Sequence, residues 1–261
     1  MPDIKVDDGC TIHAEIEGPD RAPVLMLSNS LGTDLHMWDD QVAPFTRHFR
    51  LLRYDRRGHG KSDAPKGPYS MERFGRDVLG VLDALGIAKI DWCGLSMGGM
   101  VGQWLGGNAQ NRIGKLILSN TACYYPDKTM WDGRIKTISE KGLQAIVDMN
   151  MERWFTAAFR ERSPEAIERM RKTFLATKLD GYLGCCEAIK AMDHRPLLSK
   201  ITASTLVIAG RQDPATPLEG NEFIKQHIPN ARLAVLEAAH IANVEQPKAY
   251  ADTVLGFLLS K

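Results

Sequence analysis

A serine between glycines is followed along the chain by an aspartate and a histidine in an order that suits nucleophilic catalysis. Ser96 lies in Gly-Leu-Ser-Met-Gly at 94–98, directly after the apolar run at 90–93. A serine in a sharp turn needs small residues two positions away on either side, because a Cβ there would collide with the folded-back backbone. Its hydroxyl also needs a histidine to accept the proton and a carboxylate to orient that histidine. We therefore predict that Ser96 is a nucleophile.

His240 is the predicted base among seven histidines. It follows the apolar run at 233–236, and loops at the C-terminal ends of strands form the active face of parallel sheets. His59 is the main rival, but it precedes Ser96 and lies in Asp-Arg-Arg-Gly-His-Gly-Lys-Ser at 55–62, which indicates a structural loop beside the site. The remaining histidines are interpreted as surface or packing residues: His13, His36, His48, His194 and His227. For His36 and His194, contact with substrate is left open.

The acid should follow a strand between Ser96 and His240. Asp213, in Gly-Arg-Gln-Asp at 210–213, meets this condition because an apolar run precedes it. The end of the preceding strand is the alternative place for an acid, but that strand ends in Asn120 and Thr121, which carry no carboxylate. We predict a triad in the chain order serine, aspartate, histidine.

The elements that must position these residues can be read from the rest of the sequence, in which short apolar runs alternate with helix-length amphipathic stretches. This rhythm is typical of parallel strands joined by crossover helices. The first two strands flank Asp8-Gly9, a hairpin signal, so we expect the sheet to begin with an antiparallel pair. The eight predicted strands of this mostly parallel sheet lie at 4–6, 11–17, 24–27, 51–54, 90–93, 115–118, 206–209 and 233–236.

The strand rhythm stops between residues 121 and about 195, where the sequence is rich in charge, aromatic residues and methionine. Helix signals occur within 142–159 and from Ser163-Pro164 onward, where proline in the first turn is followed by carboxylates. We predict a helical cap at 121–195, inserted into a core formed by 1–120 and 196–261. A terminal helix should begin near Gln246-Pro247.

Charge and composition limit the class of partner. The 261 residues include 33 basic and 32 acidic side chains, so no long-range field favours nucleic acid or an anionic membrane. We therefore expect a small-molecule substrate and a soluble cytoplasmic protein. We expect neither metal nor cofactor, because no metal-binding or phosphate-binding motif occurs. We interpret the cysteines as reduced thiols, two of them adjacent on a helix: Cys10, Cys93, Cys123, Cys185 and Cys186.

Over its whole length the chain resembles the α/β-hydrolase superfamily, through the segments 55–62, 94–99, 210–213 and 239–240. A narrower resemblance is to the 3-oxoadipate enol-lactonases, through Ser-Asn-Ser-Leu-Gly-Thr at 28–33, Trp154-Phe155 and the segment 181–189. Most superfamily members have His-Gly where this chain has Ser28-Asn29. The resemblance implies the α/β-hydrolase fold and hydrolysis of 3-oxoadipate enol-lactone in the β-ketoadipate pathway of aromatic catabolism.

An oxyanion hole should lie beside the nucleophile. Its first donor is the N–H of Met97, and its second should come from the loop after the strand at 24–27. An ungapped alignment selects the N–H of Ser30, and a shift by one residue would select Leu31.

The implied substrate carries a free carboxylate, which a cap arginine could bind with two parallel hydrogen bonds. Arg134 is the preferred candidate and Arg153 the alternative. Trp154 is predicted to contact the ring, although both Trp131 and Trp154 would also suit the core. A broad-specificity carboxylesterase or a cofactor-free perhydrolase would use the same triad, and a small-molecule receptor without catalysis is a more remote alternative.

Overall fold

A computed structural model of the protein describes residues 3–260, so Met1, Pro2 and Lys261 at the ends of the predicted core lie outside it. Eight strands form one sheet in the order β1-β2-β4-β3-β5-β6-β7-β8. β2 pairs antiparallel with β1 and β4, and all other pairs are parallel, which confirms the mostly parallel eight-stranded sheet. The strands are β1 Asp3–Lys5, β2 Thr11–Glu17, β3 Val24–Ser28, β4 Arg50–Tyr54, β5 Ile90–Leu95, β6 Ile113–Ser119, β7 Ser204–Gly210 and β8 Arg232–Leu236.

Helices connect and cover the strands. They are α1 Asp39–Phe45, α2 Met71–Ala84, α3 Met97–Asn108, α4 Thr129–Lys141, α5 Val147–Trp154, α6 Ala157–Arg162, α7 Pro164–Ala176, α8 Leu179–Ala191, α9 Arg195–Leu198, α10 Leu218–His227, α11 Ala242–Glu245 and α12 Pro247–Leu258. Short 3₁₀ turns lie at Leu35–Trp38, Gln110–Arg112 and Leu143–Ile146. The terminal helix thus begins at the predicted proline.

The strand predictions locate every strand but end four of the eight one or two residues too early. β5 continues to Leu95 and β6 to Ser119, because the small or polar residues at these ends still pair with a neighbouring strand. The central strands are buried on both faces, as expected when helices cover a parallel sheet. Each central strand therefore delivers its last residue to one common edge of the sheet.

Helices α4 to α9 lie between β6 and β7, and α4 to α8 fall within the segment predicted to be a cap. Tyr124 and Asp193 form an isolated antiparallel bridge where this segment leaves and rejoins the core, and His194 N–H donates to Cys123 O at 2.8 Å. That residues 121–195 act as a separate cap stays a prediction. The segment 142–159 is not one helix: Phe155 is extended, and the Thr156 side chain caps a new helix by accepting from Phe159 N–H.

The core contains large aromatic and aliphatic side chains. Trp38 and Trp92 are fully buried, and Trp38 packs on Tyr250 of α12 with 5.9 Å between ring centroids. All five cysteines are buried and free, as the sequence predicts. Within residues 3–260, no helix combines the length and the apolar character needed to cross a membrane.

Candidate active site

The predicted triad residues follow three strands that end at the same edge of the sheet. Ser96 follows β5, Asp213 lies in the loop after β7, and His240 lies in the loop after β8. His240 Nδ1 lies 2.8 Å from Asp213 Oδ2. Ser96 and His240 line one cavity. The structure therefore brings together the three side chains that the sequence selects.

Ser96 occupies a strained backbone position. Its φ of 57° and ψ of −115° fall outside the regions that residues with a side chain prefer. A Cβ at Gly94 would overlap Gly98 O, and a Cβ at Gly98 would overlap Ser28 O, which explains why both positions require glycine. Thr121 Oγ1 donates to Ser96 O at 2.7 Å, so the loop that follows β6 also fixes the turn.

Five donors surround the Asp213 carboxylate, which is 4% exposed. Oδ1 accepts from the N–H groups of Ala215 and Thr216 at 2.8 and 3.0 Å. Oδ2 accepts from Thr216 Oγ1 at 2.6 Å and Asn120 Nδ2 at 3.1 Å, in addition to His240 Nδ1. Burial raises the pKa of Asp213, but His240 and the hydrogen bonds from Thr216 outweigh it, so the pKa is below its usual value. This carboxylate stays ionised.

The ionised carboxylate fixes the tautomer of His240. Nδ1 carries the proton that points to Asp213, which leaves the lone pair of Nε2 available to accept a proton. Within residues 3–260, no hydrogen bond joins Ser96 Oγ to His240, although both line the cavity. Contacts of this kind are often loose without substrate and shorten when it binds.

The His240 loop is hydrogen-bonded to the segment predicted to be the cap. Ile241 N–H donates to Trp154 O at 3.0 Å, and Ala239 N–H donates to Glu245 Oε2 at 3.0 Å. The same buried carboxylate accepts from the N–H and the hydroxyl of Thr156. The position of the base is therefore linked to the end of α5, which carries Trp154.

His59, the rival base, has a different role. It is fully buried, and its Nε2 accepts from Gly32 N–H at 2.8 Å. Burial, and then the nearby charge of Arg56, lower its pKa to about 3, so it is neutral and holds a loop. His36 is half-exposed beside Asp39, and His194 is buried; neither is among the residues that line the cavity.

The loop after β3 bears on the choice of the second oxyanion donor. Ser30 N–H, the predicted donor, instead points to Met37 Sδ at 3.3 Å, so its hydrogen is directed into the loop. Thr33 Oγ1 donates to Ser30 O at 3.0 Å, and the N–H of Gly32, two residues after Ser30, donates to His59 Nε2. This contact with a methionine seven residues downstream argues against the Ser30 N–H as donor, but Ser30 also lines the cavity, and its role stays a prediction.

Leu31 N–H and Met97 N–H remain as possible donors. Neither makes a hydrogen bond to another group within the described part of the chain, and Leu31 lines the cavity beside Ser96. Met97 is the first residue of α3, where N–H groups have no partner within the helix and the helix dipole favours negative charge. The structure therefore favours Leu31, the one-residue-shift alternative, together with Met97.

The wall opposite the triad presents hydrogen-bond donors. Arg134 and Arg153 both line the cavity, and within residues 3–260 neither has an acidic partner. Burial and the charge of Arg134 lower the pKa of Arg153. Asn150 Nδ2 and Trp131 Nε1 are buried without hydrogen-bond partners in this part of the chain. Such a surface suits an anion.

The aromatic residues of the cavity also belong to the core. Trp154 is 6% exposed and lines the cavity, and it packs edge-on against Phe174 with 5.7 Å between ring centroids. Trp131 packs on Tyr125 at 5.4 Å and lies under the Arg134 guanidinium at 5.7 Å. Both interpretations of the tryptophans, core and pocket, therefore apply.

Sequence reasoning missed several supporting residues. Thr216 could have been found, because a carboxylate often accepts from N–H groups two and three residues later. Asn120 has a left-handed φ of 45°, which asparagine tolerates, and its amide links Asp213 to Ala239 O. No sequence signal indicated that Asn150 would meet Arg134 Nη2 or that Glu245 would join the His240 loop to Thr156.

Comparison with known proteins gives consistent matches. A family model described as alpha/beta hydrolase fold matches residues 23–247. Two proteins of Acinetobacter baylyi named 3-oxoadipate enol-lactonase are similar: one is 43% identical over 89% of this chain and 87% of the relative, the other 36% identical over 97% and 94%. The crystal structure of the enol-lactonase from Burkholderia xenovorans superposes with a TM-score of 0.97 at 43% identity, covering 99% of this chain and all of that one.

Proposed function

Because the chain belongs to the α/β-hydrolase family, and is similar within it to the 3-oxoadipate enol-lactonases, we propose that it hydrolyses 3-oxoadipate enol-lactone to 3-oxoadipate. Ser96, His240 and Asp213 are the proposed nucleophile, base and acid. The reaction would belong to the β-ketoadipate pathway of aromatic catabolism. One observation carries the proposal. His240, which the Asp213 carboxylate orients, lines the same cavity as Ser96. Arg134 and Arg153 line it too, and neither has an acidic partner in residues 3–260.

Acylation begins when Ser96 Oγ attacks the lactone carbonyl and its proton passes to His240 Nε2. The ring carbonyl oxygen becomes an oxyanion, which the N–H groups of Leu31 and Met97 would stabilise. One such donor contributes about 10² to 10³ in rate in a serine protease. Asp213 stabilises the imidazolium that forms, because its carboxylate lies 2.8 Å from Nδ1.

Collapse of this intermediate breaks the ring carbon–oxygen bond. The leaving oxygen is an enolate, which takes the proton from His240 as an enol, and the enol then tautomerises to the ketone by moving that proton to carbon. Water then gives its proton to His240 Nε2 and attacks the acyl-enzyme, and departure of Ser96 with that proton releases the new carboxylate. The net reaction adds one water to the lactone and needs no cofactor.

Substrate orientation would come from the segment 121–195, which we propose to be a cap. Arg134 could bind the free carboxylate of the lactone, because it lines the cavity and keeps donors beyond the one given to Asn150. Arg153 faces the same space and is the alternative anion ligand. Trp154 would contact the lactone ring from the end of α5.

The test is loss of the enol-lactone absorbance with purified protein, compared with a neutral aryl ester of similar size. A kcat/KM about 10- to 100-fold higher for the lactone supports the proposal, since one charge-assisted contact contributes about 1.5 to 3 kcal/mol. Equal values for the two substrates would indicate a broad carboxylesterase. Absence of turnover on both would contradict the proposed hydrolase.

A further inference from the structure

Arg56 is a buried cation without a counter-ion. Its side chain is 1% exposed, and it forms no ion pair with any of residues 3–260. The adjacent Arg57 is equally buried, but it makes two hydrogen bonds to the Asp77 carboxylate, at 2.6 and 2.7 Å. A buried charge normally has such a partner, because leaving water is costly. The positive charge of Arg56 is therefore uncompensated in the folded protein.

The Arg56 guanidinium lies behind the loop that carries the oxyanion donors. Its Nη2 donates to Asn29 O at 2.7 Å and to Ser28 Oγ at 3.2 Å. Asn29 O also accepts from Gly98 N–H in the first turn of α3, at 3.1 Å. Asn29 is two residues before Leu31, and Gly98 is one residue after Met97. Arg56 thus supports the junction of the two segments that supply both N–H groups.

The proposed reaction creates a negative charge near Arg56, which has no acidic partner. A neutral ester or lactone carbonyl carries no net charge, whereas the tetrahedral intermediate carries a full negative charge beside the two N–H groups. An interaction that strengthens only in the transition state raises kcat without lowering KM. Because Arg56 is buried and held in place, its charge can stabilise that negative charge without any movement of its own.

From this arrangement, which rests on the proposed serine hydrolase function, we propose that Arg56 is a positioning residue of the oxyanion hole. It holds the Asn29 carbonyl, and its uncompensated charge stabilises the oxyanion through the loop. The loop 55–62, which is buried except at Gly60 and Lys61, then has a role in the chemistry as well as in the fold.

The size of the effect follows from distance. Two residues of chain span at most about 7.6 Å, so the guanidinium lies within roughly 10 Å of the Leu31 N–H. One unit charge acting on another over about 10 Å at an effective dielectric constant near 20 changes a rate by on the order of tenfold. We expect removal of the charge to lower kcat by about that factor.

The experiment compares Arg56→Met with Arg56→Lys on a neutral aryl ester, with Arg57→Lys as the matched control. Arg56→Met should lower kcat about tenfold with KM changed less than twofold, and Arg56→Lys should recover most of the rate. The affinity for a boronic acid, which forms a tetrahedral anion on the serine, should fall in parallel. Arg57→Lys should lower the melting temperature without changing the ratio of boronate to ester affinity.

Thermal unfolding separates this role from a purely structural one. Replacing an unpaired buried cation by an apolar side chain should leave the melting temperature unchanged or raise it. Equal kcat losses in Arg56→Met and Arg56→Lys, or an unchanged kcat in Arg56→Met, would overturn the proposal. If Arg56→Met does not fold, Arg56→Gln, a neutral donor, carries the same comparison. A wild type inactive on both the lactone and the ester would refute the hydrolase function and the role of Arg56 with it, whereas an active wild type with either of these kcat patterns would overturn the role of Arg56 alone.

Discussion

Asp213→Asn should inactivate the protein by reversing the tautomer of His240. The amide oxygen of the new side chain must remain on the N–H groups of Ala215 and Thr216, because backbone N–H groups cannot accept. The NH₂ group then replaces Oδ2 and donates to His240 Nδ1. The proton of the imidazole moves to Nε2, which can no longer take the proton of Ser96.

The magnitude has two parts. A wrong tautomer lowers kcat by about 10⁴ in a serine protease triad, equivalent to roughly 5.4 kcal/mol in the barrier. In addition, Asn120 Nδ2, now 3.1 Å from Oδ2, would face another donor, and loss of this charge-assisted hydrogen bond costs about 1.5 to 3 kcal/mol of folding free energy. A domain with about 5 to 15 kcal/mol of stability stays folded after that loss.

Enol-lactone turnover and urea unfolding of Asp213→Asn would measure the two parts separately. Asp77→Asn is the matched control, because Asp77 is also a buried carboxylate but pairs with Arg57. We expect the control to be destabilised with kcat nearly unchanged. A kcat of Asp213→Asn within tenfold of wild type would refute the reasoning and mean that another group, such as Thr216 Oγ1 at 3.4 Å from Nδ1, orients His240.

Three further predictions concern the nucleophile, the anion site and the buried histidine. Ser96→Ala should lower kcat by on the order of 10⁶ with an unchanged urea midpoint; a near-native rate would exclude Ser96 as nucleophile. Arg134→Ala should raise KM about 10- to 100-fold for the carboxylated lactone and little for a neutral ester; equal changes would place the carboxylate elsewhere. The folded pKa of His59 is depressed from 6.5 to about 3, so its contribution to stability is complete above pH 6.5 and declines as the pH falls toward 3. Urea titrations should show that this group lowers the free energy of unfolding by about 1.4 kcal/mol for each pH unit in that range. His59→Gln should lack this part of the pH dependence; the same pH dependence in both proteins would contradict the neutral, buried state.

The sheet could be predicted from sequence because the parallel strands contain short, mainly apolar runs bounded by turn residues, and the first two strands flank a hairpin signal. β5, for example, is an apolar run that ends at the glycine-serine turn, and a parallel strand buried on both faces leaves little ambiguity. The helices between β6 and β7 were harder to predict. The break at Phe155 depends on Thr156, which is bound by Glu245 about 90 residues later. Local propensity contains no information about that contact.

The triad was predictable for a related reason. Ser96, Asp213 and His240 each follow a parallel strand, and the carboxyl ends of parallel strands share one edge, so chain order alone locates them. Arg134 and Arg153 belong to two different helices, α4 and α5, and their approach depends on how these helices pack. Sequence could identify both arginines as candidates but could not show that they share a cavity.

Ser28-Asn29 stands where most members of the superfamily have His-Gly, and its hydrogen bonds show how this difference affects the residues behind the active site. Asn29 accepts from Trp38 Nε1 at 3.2 Å and donates to Tyr54 O at 3.2 Å, and Ser28 Oγ lies 2.9 Å from Tyr54 Oη. Arg56 donates to both residues of the pair. Of the donors of this buried guanidinium, Nη2 binds the serine hydroxyl and the Asn29 carbonyl, whereas Nε and Nη1 have no hydrogen-bond partner within residues 3–260. The pair and Arg56 therefore form one network, and a change to either should be felt at the Leu31 N–H.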